Sequence, residues 1–73
     1  MSNSYHVIPE DGHWIVKRAG AERATRVSET QDEAISLARE ICKNQRAELL
    51  IHGKDGKIRQ KNSYGNDPYP PKG

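Results

Sequence analysis

The sequence predicts a small α+β domain, in which a β-β-β-α-β-β succession forms one sheet with a single helix packed on one face. Three observations support this fold class: two β-prone runs joined by a glycine turn, a central stretch with helical periodicity, and an Asp-Gly turn between two later strand-like runs. A chain of 73 residues has room for one core. We therefore predict one domain over residues 1–64 and a Pro/Gly-rich tail, residues 65–73, that packs partly on it.

The first three strands are predicted from runs of β-branched and aromatic residues. Tyr5–Pro9 and His13–Arg18 flank a Glu-Asp-Gly turn and form a hairpin, and Arg23–Ser28 follows as a shorter strand. Successive side chains of a strand point to opposite sides of a sheet, so each strand contributes alternate residues to the core. This alternation puts Trp14 and Val16 on one face of the second strand and His13, Ile15 and Lys17 on the other. In the third strand we expect Ala24 and Val27 to face inward.

A helix is predicted to begin after Thr30. Thr30 and Glu33 have the spacing of a capping box, in which the threonine oxygen accepts a hydrogen bond from the N–H three residues further on. Asn44 is of a residue type that ends helices in the left-handed conformation, and we predict the stop there. The apolar residues in between recur with helical spacing and form one buried stripe: Ala34, Ile35, Leu37, Ala38, Ile41 and Cys42.

The last two strands are predicted to form a second hairpin. Glu48–His52 and Lys57–Asn62 flank the turn Gly53–Gly56, whose Asp-Gly pair is a strong hairpin signal. Ile58 is the only apolar residue of the returning strand, a composition that is typical of a sheet edge. With strict alternation, the basic face of this strand holds Lys57, Arg59 and Lys61.

Four stretches of the sequence together resemble a known family. They are YHVIPEDGHWIVKR, TQDEAISLARE, LLIHGKDGKIR and the terminal NSYGNDPYPPKG. In this combination the chain, from Tyr5 to Gly73, resembles the small bacterial family called domain of unknown function 2188, and the run Tyr64 to Pro68 is its most distinctive part. The resemblance implies one compact bacterial domain to which the tail belongs, and it implies no activity, substrate or catalytic residue.

The composition favours a cytoplasmic, soluble protein without catalytic activity. The single cysteine, Cys42, excludes an internal disulfide, and the N-terminus lacks a basic segment followed by an apolar run. No stretch approaches the roughly 18 apolar residues of a membrane span. Cys42 lies on the apolar stripe, where burial raises a thiol pKa and keeps the group unreactive. With no nucleophile next to a base, we predict no enzyme and no small-molecule substrate.

No metal or cofactor site is predicted. The candidate ligands are three histidines and one cysteine, and they lack the close pairs, such as C-x₂-C or H-x₃-H, that zinc sites use. His6 and His13 can face each other across the first hairpin, with His52 nearby on the sheet. We expect these three to be ordinary half-exposed strand histidines.

Contact with nucleic acid is the main functional hypothesis. Residues 46–61 carry five basic and two acidic side chains, a charge of +3, whereas residues 1–45 carry six basic and seven acidic ones. Such cations can track phosphates if the face opposite the helix is open, with Tyr64 or Trp14 stacking on a base and Lys17 or Arg18 adding charge. The alternative is a solvated, aggregation-resistant edge, which a pI of about 8.9 also fits. The candidate contact residues are Lys54, Lys57, Arg59, Lys61 and Tyr64.

The tail supports a second hypothesis, a protein-interaction module. Its prolines favour an extended polyproline conformation that a protein partner can read through Tyr69, Pro70 and Pro71. In the structural interpretation, Tyr64 and Tyr69 instead cover apolar surface that the short core leaves exposed. The small core also favours a homodimer formed through a strand edge or the helix.

Overall fold

The computed structural model describes residues 3–64, in which one helix packs on one face of a five-stranded sheet. The predicted α+β class and the predicted β-β-β-α-β-β succession are confirmed. The tail, residues 65–73, lies outside the described residues. The elements are β1 (Ser4–Glu10), β2 (His13–Arg18), β3 (Arg26–Ser28), α1 (Gln31–Gln45), β4 (Glu48–His52) and β5 (Ile58–Ser63).

The sheet is mixed, with strand order β3-β2-β1-β4-β5. The central strands β1 and β4 run parallel, and the other three neighbouring pairs are antiparallel. Helix α1 connects β3, at one edge of the sheet, to β4. Such a crossover is needed because β4 runs parallel to β1, and a tight turn joins only antiparallel strands. Strand β5 forms the other edge, as its polar composition predicted.

The first hairpin is closed by a two-residue turn. Asp11 and Gly12 have φ values of 49° and 85°. Positive φ at both central residues is the type I′ geometry, whose twist matches that of the flanking strands. The turn sets a register in which Val7 lies opposite Val16. Trp14 and Val16 share one face of the sheet, as predicted, and this face packs against the helix.

The core lies between α1 and one face of the sheet, which we call the core face. Ala34, Ala38 and Cys42 follow one another at four-residue spacing on α1, and all three are fully buried. Their small side chains allow the helix backbone to approach the strands closely, and the larger residues of the predicted stripe flank them at intermediate exposure. The core face consists of Tyr5, Val7, Trp14, Val16, Leu49 and Ile51.

The opposite side of the sheet, the open face, is covered by no helix of residues 3–64. The register places on it alternate residues of the four longer strands. None of the helices in this part of the chain is long and apolar enough to cross a membrane. The open face includes His6, Ile8, Ile15, Lys17, Leu50, His52 and Lys61.

The sequence predicted the start of α1 correctly but not its end. The Thr30 hydroxyl accepts a hydrogen bond from Glu33 N at 3.2 Å, which confirms the predicted helix start. The predicted stop at Asn44 is wrong, because the helix continues to Gln45 and Arg46 adopts the left-handed conformation with φ 55°. The Arg46 backbone N–H donates to Cys42 O and closes the last turn, so the favourable residue type at Asn44 did not determine the stop.

The third strand is shorter than predicted, and its orientation differs. It spans Arg26–Ser28, and Val27 lies opposite Ile15 on the open face with 62% of its surface exposed. Ser28 instead lies opposite Trp14 and is buried. The prediction that Val27 points inward is therefore wrong, because pairing with β2 fixes the register against the strand's own apolar pattern.

Candidate nucleic-acid interface

The turn between β4 and β5 is built by backbone bonds and one carboxylate. Gly53 N donates to Lys57 O at 2.8 Å, and Gly56 has φ 85°, a conformation that glycine adopts without strain. The Asp55 carboxylate accepts a hydrogen bond from Lys57 N at 3.0 Å. Residues 53–61 carry four basic side chains against this one acidic group, a net charge of +3.

A β-bulge determines where these cations point. The register between β4 and β5 shifts between Ile51 and His52, which makes Arg59 the extra residue on β5. A bulge displaces the alternation of a strand by one residue. Arg59 therefore lies on the helix side, whereas Lys61, opposite Leu50, lies on the open face.

The predicted contact residues thus form separate groups. Lys54 and Arg59 line one cleft on the helix side, Lys61 lies on the opposite face of the sheet, and Lys57 belongs to the turn before β5. The prediction that Lys57, Arg59 and Lys61 share one face is wrong, because strict alternation fails at the bulge.

The cleft that Lys54 and Arg59 line, here called the hairpin cleft, lies between the first turn of α1 and the β4–β5 hairpin. Its volume is about 460 Å³. Gln31 Nε2 donates to His52 O at 3.0 Å, which fixes the start of α1 against the end of β4. The lining residues are Gln31, Ile35, Ile51, Gly53, Lys54, Arg59 and Gln60.

Gly53 is the residue that admits Arg59 to the hairpin cleft. Gly53 is buried, and a Cβ atom built on it would lie 2.6 Å from Arg59 Cδ and 3.1 Å from Arg59 Cγ. The aliphatic part of the Arg59 side chain therefore passes over the backbone at Gly53, where any residue with a Cβ atom would obstruct it. Sequence reasoning missed the roles of Gly53, Gln31 and Gln60, because their proximity follows from the bulge and from helix placement.

Among residues 3–64, the aromatic residues do not form a stacking surface. Trp14 lies on the core face with 8% of its surface exposed, so its predicted role in base stacking is wrong. Tyr64 packs against the core at intermediate exposure, and its backbone N–H donates to Ala47 O at 3.2 Å. This position agrees with the structural interpretation of Tyr64. The predicted partner-binding residues Tyr69, Pro70 and Pro71 lie outside the described residues.

The open face carries a pair of histidines on its two central strands. His6 Nδ1 lies 2.9 Å from His52 Nε2, and His52 Nδ1 lies 2.8 Å from Gly56 O. A carbonyl oxygen only accepts, so His52 Nδ1 donates to Gly56, and the Nε2 of neutral His52 accepts from His6 Nδ1. The expected contact of His6 with His13 is absent, because the register places Lys17 opposite His6.

Burial lowers the pKa of His6 from 6.5, and the charge of nearby His52 lowers it further. In the unfolded chain His6 regains its ordinary pKa, so below about pH 6.5 the unfolded state binds more protons than the folded state. We therefore expect the contribution of His6 to the free energy of unfolding to be fully present above that pH. It should fall as the pH is lowered through 6.5 toward the folded-state pKa of His6.

Urea midpoints measured at pH 7.5 and pH 5.0 test this pH dependence. The wild-type protein is expected to have the lower midpoint at pH 5.0, and His6→Gln to show a smaller difference between the two conditions. His13→Gln is the matched control, since His13 lies opposite Glu10, away from the pair. An unchanged difference in His6→Gln would contradict the assignment.

Cys42 is a buried thiol on the apolar stripe of α1. Burial raises the pKa of the Cys42 thiol to about 11, and Sγ donates to Glu48 O at 3.6 Å, as expected for a thiol on the apolar stripe. Within residues 3–64, no three or more His, Cys, Asp or Glu side chains come together as candidate metal ligands.

Over residues 3–64, the fold and the site define a small mixed-sheet α+β domain with a cationic hairpin beside one helix. A sequence profile of the family described as "Uncharacterized protein conserved in bacteria (DUF2188)" matches residues 5–64, and the chain belongs to this family. The chain is 35% identical over 66 residues to the uncharacterized protein YdaT of Bacillus subtilis (strain 168). This alignment covers 90% of the chain but 44% of YdaT, so the chain spans less than half of that relative's length. No solved structure matches the chain.

Proposed function

We propose that the protein is a non-catalytic module of the bacterial cytoplasm that contacts nucleic acid through the β4–β5 hairpin. The observation that supports this proposal is the charge of +3 over residues 53–61. The one carboxylate of this segment, Asp55, is hydrogen-bonded to the backbone of the turn. Phosphate oxygens attract such a group of cations, and the release of condensed counterions favours binding to any base sequence.

The contact is expected to follow the phosphate backbone rather than to read bases. Base-edge readout needs side chains that enter a groove, and sequence-tolerant stacking needs exposed aromatic rings. Of the aromatic residues in the described part of the chain, Tyr5 and Trp14 are buried and Tyr64 packs against the core. A nucleic-acid strand that passes across the hairpin would meet Lys54 and Arg59 on one side and Lys61 on the other.

Fluorescence anisotropy tests the proposal with labelled single-stranded and duplex oligonucleotides at low and moderate salt. We expect binding that weakens as salt increases, and we expect the double charge reversal Arg59→Glu with Lys61→Glu to abolish it. The matched control is Arg39→Glu with Lys43→Glu on the exposed surface of α1, which changes the net charge equally. The absence of salt-dependent binding even at high micromolar protein would overturn the proposal.

A second candidate function is self-association through the open face. Val27 and Ile58 lie near opposite edges of this face. Within residues 3–64 they are the large apolar residues with the greatest exposure, 62% and 55%. Burying them against a second copy would remove apolar surface from water. Sedimentation velocity at several concentrations should then show a dimer that Val27→Asp weakens. A monomer at every concentration would exclude this candidate.

A further inference from the structure

Two features of the structure, the bulge in β5 and the glycine at position 53, place Arg59 in the hairpin cleft. Without the bulge, Arg59 would lie on the open face with Lys61, because the two residues are separated by one position. With the bulge, the Arg59 side chain reaches the helix side only by crossing the backbone at Gly53, where no Cβ obstructs it. Bulges commonly re-aim a side chain beside a functional site.

The chemistry of the hairpin cleft suits an oxyanion. The Arg59 guanidinium offers a planar set of N–H donors, and Lys54 adds an ammonium group. The Gln60 amide is a further donor at the wall, while Ile35 and Ile51 supply apolar surface that reduces solvation of the bound group. Among the described residues that line the cleft, none carries a carboxylate group.

We infer that the hairpin cleft is a phosphate-binding subsite in which Arg59 and Lys54 contact the phosphate oxygens. The inference rests on the proposed function for the source of that phosphate, the backbone of a nucleic acid. A volume of about 460 Å³ lies within the roughly 300–1,000 Å³ of small-ligand pockets, so the cleft also has room for part of the attached sugar. A free nucleotide or inorganic phosphate carries the same chemistry, and the experiment separates these sources.

The test compares variants in binding a labelled single-stranded dodecathymidylate. Arg59→Gln is expected to weaken binding about tenfold, since it removes a charge-assisted hydrogen bond to phosphate. The slope of log affinity against log salt is negative, and its magnitude should decrease by about 0.7, the value for one phosphate contact on a single strand. Arg39→Gln makes the same substitution on the exposed surface of α1 and is expected to bind like the wild type.

Gly53→Ala tests the position of Arg59 without changing the net charge. The added Cβ would displace the Arg59 side chain, and the φ of Gly53 is outside the left-handed region, so alanine fits the backbone. Binding is expected to weaken as it does in Arg59→Gln. Arg59→Lys, which retains the charge but not the planar donor set, is the second variant should Gly53→Ala fail to fold.

The outcomes distinguish the inference from the proposed function. If the wild type binds the oligonucleotide while Arg59→Gln, Gly53→Ala and Arg59→Lys bind like Arg39→Gln, the cleft inference is overturned and the nucleic-acid function stands. If inorganic phosphate or thymidine monophosphate shifts the amide resonances of Lys54 and Gln60 while no oligonucleotide binds, the proposed function is overturned and the phosphate site stands. If neither probe binds, both are overturned.

Discussion

Leu49→Ala is expected to leave the protein largely unfolded in the absence of a ligand. Leu49 has no exposed surface, and it lies on β4 between Tyr5 of β1 and Asn62 of β5. Removing a buried leucine side chain costs about 2–5 kcal/mol, because the transfer free energy is lost and a cavity remains. A core of this size rarely supplies more than about 3–5 kcal/mol of stability. Urea denaturation followed by far-UV circular dichroism measures the loss.

Leu50→Ala is the matched control for this prediction. It makes the same chemical change one residue further along β4, where the side chain lies on the open face at intermediate exposure. We expect a loss of about 1 kcal/mol or less, as for partly exposed positions outside the core. Equal destabilisation by the two variants would mean that the helix does not define the buried side of the sheet.

Ala38→Asp is expected to be at least as disruptive. Ala38 is fully buried in the middle of the face that α1 presents to the sheet. A carboxylate at this position would lose its hydration without gaining a partner, and uncompensated buried charges cost about 3–5 kcal/mol. Loss of the cooperative thermal transition in circular dichroism is the expected result.

Ser36→Asp tests whether the effect of Ala38→Asp comes from burial. Ser36 lies on the same helix and is exposed, so the new charge remains hydrated there. The thermal midpoint of Ser36→Asp should remain within a few degrees of the wild type. A loss as large as that in Ala38→Asp would contradict the packing of α1 by its Ala34, Ala38 and Cys42 face.

Local signals in the sequence predicted most of the secondary structure. The capping box at Thr30, the spacing of small residues on α1 and the alternation around Val16 each depend on contacts within a few residues or across one tight turn. The strand order could not be derived in this way. The pairing of β1 with β4 joins residues more than forty positions apart, and no local pattern determines it.

The candidate site was predicted only in part, and the reason is the bulge. The sequence indicated a cationic hairpin from Lys54 to Lys61, and the structure retains it. Alternation alone placed Arg59 with Lys61, because a single extra residue in one strand leaves no clear mark in composition or periodicity. The role of Gly53 was missed for the same reason, since it depends on the side to which Arg59 turns.

The most direct test of the proposed site is an amide chemical-shift titration of the labelled protein with dodecathymidylate. We predict that the largest shifts fall on Gly53 to Gln60 and on the side-chain amide of Gln31, and that they diminish as salt is added. Shifts confined to the exposed surface of α1, or spectra unchanged at high micromolar oligonucleotide, would contradict the account.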